Sequence, residues 1–145
     1  MASASHAETI KGSCEGCFAA ITDFESYPEW QTVVESVDVR SRDQAGRGRE
    51  VGFVIDLKLR RVRYALIYEY AEPTEVRWRY AGGDVKDVTG SYSFMPTPAD
   101  GLVEARYKLE VEFGFPAPGL IRDRLQREVM RRSVHELKAR VEAAA

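Results

Sequence analysis

Hydrophobic and polar positions alternate over most of this chain. Val37 and Val39 begin the pattern. Val51, Phe53, Ile55, Leu57 and Leu59 share one parity, then Val62, Tyr64, Leu66, Tyr68 and Tyr70, then Val76, Trp78 and Tyr80. Gly90, Tyr92 and Phe94 follow, and Val103, Ala105, Tyr107, Leu109, Val111 and Phe113 form the cleanest run. A period of two is the mark of strands with one dry face and one wet face. "RDQAGRGR", "RRVR", "AEPTE", "AGGDVKD" and "PTPADG" separate the runs and read as turns. Short connections between alternating strands predict an antiparallel meander.

Helical spacing frames the meander. Cys14, Cys17, Phe18 and Ile21 share a helix face, with Ser13 as the expected N-cap. Ser26 and Glu29 stand in the capping-box relation with Pro28 in the first turn, which predicts a second short helix running to about Val34. Thr9 to Gly12 reads as an edge strand. Pro116, Pro118 and Gly119 end the last strand. A single helix is then predicted from about Gly119 to Ala144. Its apolar stripe steps through Ile121, Leu125, Val129, Ser133, Leu137 and Val141, with Met130 and Val134 beside it. The dry face of the sheet needs a cover, and this helix is the one available. The fold class is α+β: a curved sheet of about seven strands closed over a long C-terminal helix. Residues 7–143 are expected to form one domain, and residues 1–6 a flexible tail.

The inward row is unusually aromatic. Each tyrosine or tryptophan brings a polar atom that needs a partner when buried. A set of them facing inward points to a cavity with ligand-facing spots rather than a solid core. The residues expected to line it are Tyr27, Trp30, Phe53, Tyr64, Tyr68, Trp78, Tyr92 and Tyr107. The loops beside Trp30 and Phe115 are candidate gates.

Three stretches carry a family resemblance: "AAITDFESYPEWQTVVESVDV" (Ala19 to Val39), "GSYSFMP" (Gly90 to Pro96) and "FPAPGLIRDRLQREVMRRSVHELKARVE" (Phe115 to Glu142). The chain resembles the START-like polyketide cyclase/dehydrase superfamily, most of all its coenzyme-Q-binding group. The D-x-x-x-Y-P-x-W core at Asp23, Tyr27, Pro28 and Trp30 is its most specific part. The resemblance implies the helix-grip fold, which birch-pollen-allergen-like proteins share. It implies a small hydrophobic ligand (a lipid, quinone or polyketide-like molecule) held between sheet and helix, with the protein acting as a carrier or chaperone. The same superfamily includes aromatase/cyclases and ribosome-associated toxins, so a cyclase/dehydrase-like enzyme and an interaction protein are the alternatives.

Composition and candidate chemistry narrow these choices. Of the 145 residues 44% are apolar and 30% charged, and the net charge is −2. That balance suits a globular domain and implies no DNA partner. No apolar run reaches the ~20 residues that span a bilayer, so no stable membrane insertion is expected. The opening "MASASHAET" has neither the basic nor the apolar region of a signal peptide, which makes the cytoplasm the expected location. The chain has two cysteines and two histidines. Cys14 and Cys17 stand as C-x-x-C in "SCEGCF", but His6 and His135 lie far along the chain, too little for a zinc site. No βαβ unit supports a redox dithiol. In the resembled family this position is the turn into the first helix, which makes Cys17 a small buried residue and Cys14 a residue near the N-cap. No cofactor, metal or catalytic residue is expected. The resemblance implies an inward arginine in aromatase/cyclases on the strand matching Val62 to Tyr70, whereas Arg63 here has the outward parity. Asp84 and Asp87 read as a solvated turn. Lys58, Arg60, Arg61 and Arg63, and then Arg122, Arg124, Arg127, Arg131 and Arg132, form basic clusters. They read as solvated faces balanced by acids; if they met in space, RNA or an acidic protein would be the partner.

Overall fold

The computed structural model describes residues 2–58, 60–114 and 119–144. The alternating runs form one antiparallel sheet of seven strands. These are β1 (Ala2–Lys11), β2 (Val34–Arg42), β3 (Gly48–Asp56), β4 (Arg61–Ala71), β5 (Glu75–Gly83), β6 (Asp87–Pro96) and β7 (Leu102–Glu112). Helix α1 (Cys14–Thr22), a 3₁₀ turn at Phe24–Ser26 and helix α2 (Tyr27–Trp30) join β1 to β2, and α3 (Gly119–Ala144) ends the chain. The spatial order β1-β7-β6-β5-β4-β3-β2 puts the first two strands at opposite edges. The α1–α2 connection therefore has to carry the chain from one edge to the other, and α3 fills the concave face. This is the helix-grip fold.

Local chemistry accounts for most of these boundaries. Ser13 is the N-cap of α1, its Oγ accepting from the Gly16 N–H at 2.9 Å. Asp43 Oδ1 accepts from the backbone N–H groups of Ala45 and Arg47 at 2.9 and 3.0 Å, which closes the β2–β3 turn. Between β4 and β5 the register shifts after Ala65. There Gly83, at φ +138°, passes so close that a Cβ would stand 2.4 Å from the Arg63 carbonyl oxygen and 2.5 Å from Tyr64 Cα. Only glycine permits that approach.

Several expectations need correction. The first strand starts at Ala2, not Thr9, and residues read as a free tail pair with β7 from Ala2 opposite Val111 to His6 opposite Tyr107. β7 has a long outer edge whose N–H and C=O groups need partners, and small polar residues can supply a backbone without leaving a hydrophobic signature. The capping box at Ser26 does not form. The preceding 3₁₀ turn already holds Ser26 in helical conformation (φ −86°, ψ −9°), and its hydroxyl donates to Asp23 Oδ2 at 2.7 Å instead. The helix stops at Trp30, and Val34 opens β2. "RRVR" is not the reversal either: Arg61–Arg63 lie in β4. The turn comes earlier, where Lys58 takes φ +68° and donates its N–H to Asp56 Oδ1 at 2.8 Å. Leu59, Phe115, Pro116, Pro118 and the side chain of Ile121 lie outside the described residues.

The buried line of α3 runs through Gln126, Met130, Val134, Leu137 and Val141. Leu125, Val129 and Ser133, from the expected stripe, are half-buried beside it. The C-terminal half is tied down at several points. Thr32 N–H donates to Glu136 Oε1 at 3.0 Å, Lys11 N–H to Glu142 Oε2 at 3.0 Å, and Lys138 Nζ to the Thr9 carbonyl at 2.8 Å.

Candidate ligand cavity between sheet and helix

Strand parity aims the large side chains at the helix. β3 contributes Phe53 and Ile55. β4 contributes Val62, Tyr64, Leu66 and Tyr68, and β5 contributes Val76 and Trp78. Val88 and Tyr92 come from β6, and Tyr107, Leu109 and Val111 from β7. Ile21, Tyr27 and Gln31 close one side, and Gln126, Val129 and Ser133 of α3 close the top. Together they enclose a cavity of about 120 Å³. An engineered cavity of roughly 150 Å³ takes benzene, so this space is on the scale of a single ring.

The rings both build the wall and pack on one another. Phe53 stacks on Tyr64 with centroids 5.4 Å apart, and Tyr107 stands edge-on to Trp78 at 5.5 Å. Tyr92 and Tyr107 are 4.5 Å apart. Trp78 has room because Gly90 faces it across the β5–β6 ladder, where a Cβ would come within 2.7 Å of the indole.

The tyrosine hydroxyls fall into two groups. Tyr27 donates to the Ile21 carbonyl, and Tyr92 lies 2.5 Å from Ser133 Oγ. Tyr70 and Tyr80, off the cavity, donate to the carbonyls of Gly48 and Val85. The hydroxyls of Tyr64, Tyr68 and Tyr107 have no hydrogen-bond partner among the described residues. Burial pushes the phenol pKa of all three above its ordinary value, and they reinforce one another: Tyr64 and Tyr107 act on Tyr68, and Tyr64 acts on Tyr107. These phenols stay protonated at neutral pH, able to donate one hydrogen bond and to accept others.

Of the eight residues expected to line the site, Trp30 is not on the wall. It closes the single turn of α2 and is half-buried. Its ring stands edge-on to Tyr27 at 5.3 Å, with the Arg140 guanidinium 6.0 Å from its centroid. The remaining expected residues, Tyr27, Phe53, Tyr64, Tyr68, Trp78, Tyr92 and Tyr107, meet on one surface. Polar wall residues that sequence reasoning missed are Gln31 and Gln126. Gln31 Nε2 donates to the Ser133 carbonyl at 3.1 Å, and Gln126 Nε2 to the Leu109 carbonyl at 3.1 Å. Gln126 continues the helical spacing of Met130, Val134, Leu137 and Val141, which was the signal available for it.

Other candidate chemistry lies elsewhere. Cys14 and Cys17 are both free thiols. Burial raises the Cys17 pKa to about 11. Burial, and then the neighbouring Glu15, raise that of Cys14, whose Sγ donates to the Phe94 carbonyl at 3.6 Å. Thiols held protonated are poor nucleophiles and metal ligands. No group of three His, Cys, Asp or Glu side chains placed to hold a metal ion occurs among the described residues. His135 is exposed, and His6 lies 3.0 Å from Glu8. Asp84 and Asp87 accept from the backbone N–H groups of Arg63 and Val88, each at 2.9 Å. Arg61 forms a two-point pair with Glu35 at 2.7 and 3.0 Å, while Arg131 and Arg132 share Glu128.

The sequence profile of the family described as polyketide cyclase / dehydrase and lipid transport matches residues 1–142. The chain belongs to this family. Among solved structures, a START superfamily protein from Mycobacterium smegmatis is 21% identical, with a TM-score of 0.89 and 99% of each chain covered. A protein from Thermus thermophilus is 22% identical with a TM-score of 0.87, again over 99% of each chain. The Zhui aromatase/cyclase of a Streptomyces species is 14% identical at a TM-score of 0.80, over 97% of this chain and 93% of that one. No curated protein matches the sequence. At these identities the structural likenesses establish the family's fold and leave its chemistry open. Among the described residues, no helix is long and apolar enough to cross a membrane.

Proposed function

We propose that this family member binds a small hydrophobic ligand in the cavity between sheet and α3, and acts as a carrier or chaperone without catalysis. One observation carries the reading: a mostly apolar space holds three phenol groups, on Tyr64, Tyr68 and Tyr107, that have no hydrogen-bond partner among the described residues. Tyr68 is buried and Tyr64 and Tyr107 are half-buried, so their hydroxyls meet whatever fills the space. Three left over on one wall suit a guest that carries oxygen. Apolar contact would supply the affinity, and the hydroxyls would orient the guest. A quinone headgroup meets both demands, as does a polyketide ring. A long lipid chain needs side chains to move first. The free thiols suit a reducing compartment, in keeping with the cytoplasm.

A cyclase/dehydrase-like reaction is the second reading, favoured by the family description and by phenols able to polarise a carbonyl. General acid–base turnover also needs a group that exchanges protons near neutral pH. The only titratable side chains on the described wall are tyrosines whose burial opposes ionisation. That favours the carrier.

Native mass spectrometry of the purified protein, followed by organic extraction, tests the proposal. An adduct of discrete mass that extraction removes is the expected result. An empty protein that also fails to shift on titration with small aromatics would overturn it.

A further inference from the structure

The ligand's charge and size can be argued further, and this step rests on the proposed binding function. An anionic guest such as a fatty acid must bring its carboxylate into the cavity or leave it at the mouth. Burying a carboxylate is prohibitive unless a cation pairs with it. The described wall has no lysine, arginine or histidine. Off the wall, Arg61 pairs with Glu35, Arg47 pairs with Glu72, and the Arg140 guanidinium stands over the Trp30 ring. The amide nitrogens are engaged as well, Gln31 Nε2 with the Ser133 carbonyl and Gln126 Nε2 with the Leu109 carbonyl. What remains is neutral and donor-rich: the hydroxyls of Tyr64, Tyr68 and Tyr107. Phenols that resist ionisation offer an O–H to an acceptor and carry no charge to balance an anion. The volume, about 120 Å³, is on the scale of one ring.

We infer that the cavity selects an uncharged, ring-sized guest bearing a carbonyl-type acceptor, held by the hydroxyls of Tyr64, Tyr68 and Tyr107, and rejects carboxylates.

Three probes of nearly equal shape separate these demands. Acetophenone has the ring and the carbonyl oxygen, ethylbenzene lacks the oxygen, and benzoate replaces the ketone with a charge. Each is titrated into the full chain at neutral pH, following amide and tyrosine ring resonances by NMR. Acetophenone is expected to bind roughly tenfold tighter than ethylbenzene, the factor for about one hydrogen bond inside a dry site. Benzoate is expected to give no saturable shift of the cavity resonances. Replacing all three tyrosines (Tyr64→Phe, Tyr68→Phe, Tyr107→Phe) should bring the acetophenone/ethylbenzene ratio close to one. Tyr64→Phe and Tyr107→Phe singly, at half-buried positions, repeat the test if the triple variant does not fold. Ethylbenzene binding as well as acetophenone, benzoate matching it, or a ratio that survives the substitutions would overturn the inference. Decanoate binding while acetophenone does not would overturn this inference and leave the binding function standing. If neither decanoate nor any neutral probe reaches the cavity, both fall.

Discussion

The Tyr92 hydroxyl lies 2.5 Å from Ser133 Oγ and joins the middle of β6 to the middle of α3. The Ser133 backbone carbonyl accepts from Gln31 Nε2 at 3.1 Å. Sheet, α2 connection and long helix thus meet at one residue. Buried hydrogen bonds of this kind are worth most through what their loss leaves unsatisfied. Tyr92→Phe should destabilise the fold by about 1–2 kcal/mol, read as a lower urea midpoint with an unchanged denaturant slope.

Leu137 is fully buried under the same helix. Truncating it to alanine removes methylene groups from the packed core and leaves a void. A loss of about 2–5 kcal/mol is expected. The neighbouring His135→Ala, at an exposed site, serves as the control and should leave thermal stability nearly unchanged.

Gly90 decides where the Trp78 indole can lie. A methyl group there would meet the indole at 2.7 Å and the Lys108 carbonyl oxygen at 2.6 Å. Gly90→Ala should cost about 1–3 kcal/mol by overpacking and drive Trp78 into the cavity. A shift of tryptophan emission together with weaker binding of ring-sized probes is the expected signature. Unchanged binding would mean that Trp78 does not set the depth of the site.

Alkaline pH should weaken the fold in a defined window. Unfolded thiols and phenols titrate near their ordinary values of 9.0 and 10.0. In the folded chain Cys17 is raised to about 11 and the cavity tyrosines are raised too. The native state therefore holds protons that the unfolded state has released. The stabilisation is complete below pH 9 and is lost as pH rises through the folded-state values. Denaturation series from neutral pH upward should be flat, then decline beyond about 9 to 10. A decline that starts below about pH 8 would contradict this assignment.

The same burial makes a prediction for "SCEGCF". A thiol-specific disulfide reagent at mildly alkaline pH should label Cys17 far more slowly in the native chain than in urea. Equal rates would mean that the thiol is open to solvent.

How much of this was legible beforehand differs from element to element. The strands from β3 to β7 could be read because each buries one face, so that Val103 through Val111 must alternate. The helix-grip order followed from that alternation, a long amphipathic end and the D-x-x-x-Y-P-x-W core. Seven of the eight expected wall residues sit on strands or helices whose parity could be counted. Trp30 ends α2 against Tyr27 and Arg140 rather than on the wall, and a single helical turn is too short for its phase to say which side it faces. The capping box failed because a 3₁₀ turn had already taken Ser26 into the helix. Gln126 escaped notice because a polar residue on an apolar stripe looks like a break until its partner, the Leu109 carbonyl, is seen.

Alternation, turn residues and a long apolar stripe were enough to determine which side chains face inward, since those are local properties of strand and helix periodicity. They could not determine whether the inward rings would close the interior completely. That depends on where α3 rests and on the Gly83 and Gly90 approaches. It depends too on which hydroxyls find a carbonyl and which do not. Such matters are settled only when distant segments meet, and here their meeting left a space and three phenols facing into it.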